Sequence, residues 1–74
     1  MLRVKLFQSS RRLFEGTATQ VVLPAEAGEL AVLDCHAPML SALAEGVTRI
    51  DEVSFPVRDG IVFVARNLVT IVTH

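Results

Sequence analysis

The residues able to do chemistry in this chain are few and scattered. Cys35 and His36 are its one adjacent pairing of a nucleophile with a base. Neighbours on an extended chain point to opposite faces, so the two are poorly placed to activate each other, and no third group stands at a spacing that would orient the imidazole. A small hydrolase built on this pair is the enzymatic alternative, and it would make Cys35 indispensable. Cys35, His36 and His74 also lack the close repeated spacing that gathers a metal ion. The carboxylate pairs Glu26/Glu29 and Asp51/Glu52 fall in predicted turns, where solvated charge is the ordinary use. Gly16, Gly28, Gly46 and Gly60 lie too far apart for a phosphate-cradling loop. The expectation is a chain with no catalytic residue, no metal ligand and no cofactor.

The cations are distributed less evenly. Arg3, Lys5, Arg11 and Arg12 place four of the seven basic residues in the first twelve positions, with no acid among them. An acidic patch on a partner or a nearby anionic lipid would explain this. A solvated face on an edge strand would explain it equally well, because lysine there blocks edge-to-edge aggregation. Over the whole chain eight acids leave a net charge of −1, which argues against a general nucleic-acid binder. The absence of Trp and Tyr leaves little for stacking on bases or sugars.

These groups must be positioned by one small domain spanning residues 1–74. An apolar fraction of 51% and a mean hydropathy of +0.50 exclude disorder. The longest apolar stretches, Val21 to Ala25 and Ile61 to Ala65, are about a quarter of what a bilayer span needs. Arg3 and Lys5 interrupt the N-terminus before a secretory core can form, so export is not expected. The single cysteine makes no internal disulfide and suits a reducing compartment. A domain of this size buries only about 60% of the surface its unfolded chain exposes. With half its residues apolar, some apolar surface should stay outside for a partner to cover.

The patterning is that of strands. Leu2, Val4 and Leu6 alternate with Arg3 and Lys5. Ser9 to Arg12 reads as a turn, and Leu13 to Gly16 restarts the chain and stops at the glycine. Thr17 to Leu23 is rich in β-branched residues and should end at Pro24, which cannot donate to a ladder. Ala25 to Gly28 reads as a loop, Leu30 to Leu33 as a short strand, and Asp34 to Pro38 as a second loop. Met39 to Glu45 is built of helix formers closed by Gly46, so local propensity predicts helix there. Asp51-Glu52 suits a tight hairpin between Val47–Ile50 and Val53–Val57, with Pro56 marking an edge strand. Asp59-Gly60 and Arg66-Asn67 bracket Ile61–Ala65, and Leu68–Thr73 follows. Ile61–Ala65 is apolar on both faces and Leu68–Val72 nearly so, which calls for a larger core or a covering chain.

The run Leu13-Phe14-Glu15-Gly16, then Val21-Val22-Leu23-Pro24, then Gly28-Glu29-Leu30 and His36-Ala37-Pro38-Met39-Leu40, resembles the N-terminal domain of the epsilon subunit of F-type ATP synthases. Leu43-Ala44-Glu45-Gly46, Asp59-Gly60-Ile61 and Leu68 to Val72 extend the likeness to the end of the chain. The resemblance implies an all-β fold, a small flattened antiparallel β-sandwich of about 8–10 short strands, and makes Met39 to Glu45 strand or turn against its propensity.

It further implies a non-catalytic subunit of the central stalk, peripheral on the cytoplasmic face of the membrane, that binds the gamma subunit and rests on the c-ring. Ser9, Ser10, His36, Pro38 and Met39 would lie against gamma, and Gly28 and Glu29 would face the c-ring. The family usually carries two further C-terminal helices, so regulation through such helices is not carried over. The Asp51-Glu52 hairpin is shorter than usual, and Arg66-Asn67 replaces a commoner Pro-Gly turn. A reading from another class remains: a free-standing sandwich that self-associates through its apolar sheet face and serves as an adaptor.

Overall fold

The alternation at the N-terminus becomes β1 (Leu2–Gln8), in which Leu2, Val4 and Leu6 are fully buried. The computed structural model describes residues 1–74, and every further element is also a strand: β2 (Arg11–Ala18), β3 (Gln20–Ala25), β4 (Gly28–Leu33), β5 (Met39–Leu43), β6 (Gly46–Ile50), β7 (Val53–Val57), β8 (Gly60–Ala65) and β9 (Leu68–Thr73). All belong to one sheet folded over on itself into two layers. One layer runs β2-β1-β9-β8-β5 and the other β4-β3-β6-β7, and they are stitched where Ala25 of β3 pairs Leu43 of β5. Phe14 of β2 meets Phe55 of β7 edge to face, ring centroids 5.9 Å apart, tying two outer strands together through an aromatic contact. Fourteen buried apolar residues drawn from both layers make one core.

The pairing is antiparallel as expected, except that β1 and β9 run parallel. No hairpin joins these two strands, so nothing forces them to run in opposite directions.

Several boundaries depart from local expectation. β2 does not stop at Gly16 but passes through it to Ala18, with Gly16 opposite Val4. A Cβ at that position would meet only the Phe14 ring, in ordinary contact at 3.4 Å, so it is the ladder with β1 that carries the strand through Gly16. Pro24 lies inside β3, which continues to Ala25. Its carbonyl accepts from the Ala44 N–H at 2.7 Å, and the N–H it lacks would point the same way, into the corner where β3 changes partner. β6 pairs with Val21 and Val22 while β5 pairs with Ala25, so the missing donor falls between two ladders. Only Glu26-Ala27 remains of the expected loop, because β4 begins at Gly28. Met39 to Leu43 is strand: its pairing with β8, from Met39 opposite Val64 to Leu43 opposite Gly60, overrides the helix propensity.

The hairpins hold their places for identifiable reasons. Asp51 takes a positive φ of 52°, and its carboxylate accepts the backbone N–H groups of Thr19 at 3.1 Å and Gln20 at 3.0 Å. Arg66 and Asn67 both have positive φ, 55° and 60°, as a two-residue type I′ turn requires. At Asp59-Gly60 the aspartate takes the positive φ, 48°. Gly60 is needed for a different reason: a Cβ there would sit 2.4 Å from the Val72 carbonyl oxygen. β7 with Pro56 is an edge strand, as predicted.

Candidate docking surface

Side chains on β5, β8, β9 and β1 are held in register, so those pointing outward fall into rows. Leu40, Phe63, Thr70 and Lys5 make one row; Ala42, Ile61, Val72 and Phe7 make the next. Inward neighbours on the same strands, Val62, Val64, Val69 and Ile71, are completely buried. Outward, Leu40 is 65% exposed, Phe63 51%, Ile61 42% and Val72 38%. This is an apolar patch on three adjacent strands, with no part of the chain laid over it. The two-faced apolarity of Ile61–Ala65 announced it, and the register shows its extent.

Charge flanks the patch on the β1 side. Arg3 is exposed and Lys5 half-buried at outward positions of β1, and neither takes part in an ion pair; the chain's pairs join Arg12 to Glu15 and the N-terminal ammonium to Asp34. Glu15 is the cross-strand partner of Lys5, yet its Oε1 accepts from Arg12 Nη1 at 2.6 Å. Residues three apart on a regular strand point to opposite faces; here the register skips by one residue at Leu13, a β-bulge that brings Arg12 and Glu15 together. β1 lies between β2 and β9. Protection of a strand edge therefore accounts for Arg11 and Arg12 on β2 but not for Arg3 and Lys5, which stand one strand further in.

The residues singled out from the sequence are spread over this layer and its two ends. Ser9 and Ser10 form the exposed β1–β2 turn, where the Ser9 N–H donates to the Thr73 carbonyl at 3.0 Å. His36 and Pro38 lie in the β4–β5 loop at the opposite end, about 20 Å away at roughly 3.3 Å per residue along the strands. The apolar patch occupies the ground between them. Met39 is half-buried and packs against the core; the exposed apolar group at that corner is Leu40, which the motif-based assignment missed. Gly28, with φ of 132°, and Glu29 begin β4 at the same end as Ser9, where the Glu26 N–H donates to the Ala42 carbonyl at 3.4 Å.

Cys35 and His36 are not assembled into a reactive pair. His36 Nδ1 lies 2.6 Å from the Ala37 carbonyl, so that nitrogen donates, and no hydrogen bond joins the imidazole to the thiol. The Cys35 N–H donates to Asn67 Oδ1 at 2.8 Å, and Asn67 Nδ2 donates to Asp34 Oδ1 at 2.8 Å. The loop is thereby tied to the β8–β9 turn. No three His, Cys, Asp or Glu side chains gather into a metal-binding group, and no helix is long and apolar enough to cross a membrane.

The family described as "ATP synthase, Delta/Epsilon chain, beta-sandwich domain" matches residues 1–74. The chain is 33% identical over 73 residues to the ATP synthase epsilon chain of Herminiimonas arsenicoxydans, covering 99% of this chain and 51% of that one. It is 35% identical over 77 residues to the epsilon chain of Acaryochloris marina, covering 99% and 56% respectively. The chain thus spans about half the length of the relatives it matches. A chain in the central stalk/c-ring structure of the Tetrahymena thermophila mitochondrial ATP synthase shares the fold, with a TM-score of 0.75 at 18% identity over 97% of this chain and 62% of that one.

Proposed function

This chain belongs to the ATP synthase delta/epsilon β-sandwich family, and from that premise we propose that it is a non-catalytic rotor subunit fastening the gamma subunit to the c-ring. The observation that carries the proposal is the uncovered apolar face of Leu40, Ile61, Phe63 and Val72. A subunit that transmits torque needs an interface too large and too well packed to slip. Obligate interfaces often bury about 2,000 Å² or more in total, so roughly 1,000 Å² of this chain's 4605 Å² would be covered. Gamma lies along the β5–β8–β9 face, from Ser9 and Ser10 at one corner to His36 and Pro38 at the other, with Leu40 in place of Met39 as the apolar contact there. Gly28 and Glu29 meet polar loops of the c-ring through charge. The chain works as a peripheral part of the complex on the cytoplasmic side of the membrane.

The test is an equimolar mixture with the gamma subunit of the same complex on a sizing column. One co-eluting species is expected. Two separate species overturn the proposal, and a self-associated chain that ignores gamma favours the adaptor reading. For the c-ring contact, Glu29→Lys should weaken coupling of ATP hydrolysis to ion pumping while gamma binding persists; an unchanged coupling ratio removes that loop from the interface.

A further inference from the structure

We propose that the partner surface docked on this face carries carboxylates over β1, about 10 Å from the centre of its apolar contact, to receive Arg3 and Lys5. The inference rests on the rotor reading and specifies the chemistry of the partner at that same site. Lys5 shares a row with Phe63, with Thr70 of β9 alone between them. Two strand spacings of about 4.8 Å separate β8 from β1. A partner burying the same roughly 1,000 Å² per side covers a patch about 32 Å across, wider than the molecule itself, whose extents are 26 × 25 × 20 Å. Anything that seats on Phe63 and Ile61 must therefore also cover Lys5 and Arg3.

Covering these cations takes them out of water, and a buried charge without a partner is costly. The chain does not neutralise them itself. Neither is in an ion pair, and Glu15, the one carboxylate on β1 and β2, is engaged by Arg12 at 2.6 Å. The missing carboxylates must come from the other side of the interface. A second copy of this chain would bring the same surplus of cations to the joint. An anionic headgroup layer supplies charge but no packed apolar surface at the same level for Leu40, Ile61 and Phe63, whereas a protein presents both. The partner is a protein surface with an apolar centre and an acidic flank, and such complementarity shows in association rate and salt dependence.

The experiment is a binding titration of the full chain against the gamma subunit at low and at high salt. The wild-type chain is compared with the Arg3→Glu/Lys5→Glu double variant, the milder Arg3→Gln/Lys5→Gln variant, and Phe63→Ala. The wild type should lose about tenfold in affinity at high salt. Both charge variants should bind about tenfold or more weakly at low salt; Arg3→Gln/Lys5→Gln should lose most of the salt dependence and Arg3→Glu/Lys5→Glu should reverse it, binding more tightly at high salt, while Phe63→Ala weakens binding and keeps the wild-type dependence. Charge variants that bind as wild type with the same salt response overturn this inference and leave the rotor reading standing. A wild-type chain that binds gamma at neither salt overturns the rotor reading. Sedimentation of the wild type with phosphatidylglycerol-containing vesicles, abolished in the charge variants while gamma binding is unaffected, overturns the protein partner in favour of lipid.

Discussion

Leu40 of β5 and Phe63 of β8 are directly opposed across their ladder, and both point away from the core at more than half exposure. In the isolated chain the pair contributes only what two neighbouring apolar groups gain from each other, about 0.2–1 kcal/mol. Phe63→Ser should therefore lower folding stability by less than about 1 kcal/mol, whereas Ile71→Ala, in the fully buried core, should cost about 2–5 kcal/mol. Urea titrations of the two variants decide it. A Phe63 variant as unstable as the core variant would mean that the patch serves folding rather than docking.

Thr48 is completely buried, and its Oγ1 has no hydrogen-bond partner. A buried hydroxyl without a partner costs about 1–3 kcal/mol. Thr48→Val keeps the shape and removes the penalty, so the variant should be more stable by about 1 kcal/mol. A less stable Thr48→Val in thermal melts would show that the hydroxyl is satisfied in solution.

Asp51 does two things at once: it adopts a left-handed backbone and holds the Thr19 and Gln20 amides. Asn retains both abilities, Gly the first alone, and Ala neither well. The order of stability should be Asp, Asn, Gly, Ala, with Asp51→Ala lower by about 1–2 kcal/mol. If Asp51→Gly equalled the parent in denaturant titrations, the carboxylate contacts would contribute nothing.

Gly60 has backbone against its missing side chain, with the Val72 carbonyl oxygen 2.4 Å from where a Cβ would stand. Gly60→Ala should push β8 from β9 and cost about 1–3 kcal/mol or more, a large part of the roughly 4–11 kcal/mol available to a chain of this length. A wild-type melting temperature would contradict the close approach.

These residues also show what could be read without coordinates. The turns at Asp51-Glu52, Asp59-Gly60 and Arg66-Asn67 were legible because turn chemistry is local. Gly16 and Pro24 misled for the same reason: each is a breaker by itself, but Gly16 is paired opposite Val4 of β1 and Pro24 falls at a gap between ladders, and neither arrangement is local. β5 carries helix formers, and only pairing with β8 makes it a strand. Ile61–Ala65 disclosed an uncovered face through composition alone. That Leu40 completes it, while Met39 turns inward, follows from which strand lies beside β8, and adjacent residues give no sign of that.

Thiol labelling across the proposed contact tests the central claim most directly. In a Cys35→Ser background, Phe63→Cys places a single reactive group in the middle of the patch, and Ser54→Cys places one at an exposed position on β7 in the other layer. Both thiols should react freely in the isolated chain. With gamma bound, Phe63→Cys should be protected by about tenfold or more while Ser54→Cys still reacts. Equal labelling of Phe63→Cys with and without gamma, in a complex verified to have formed, would contradict the account.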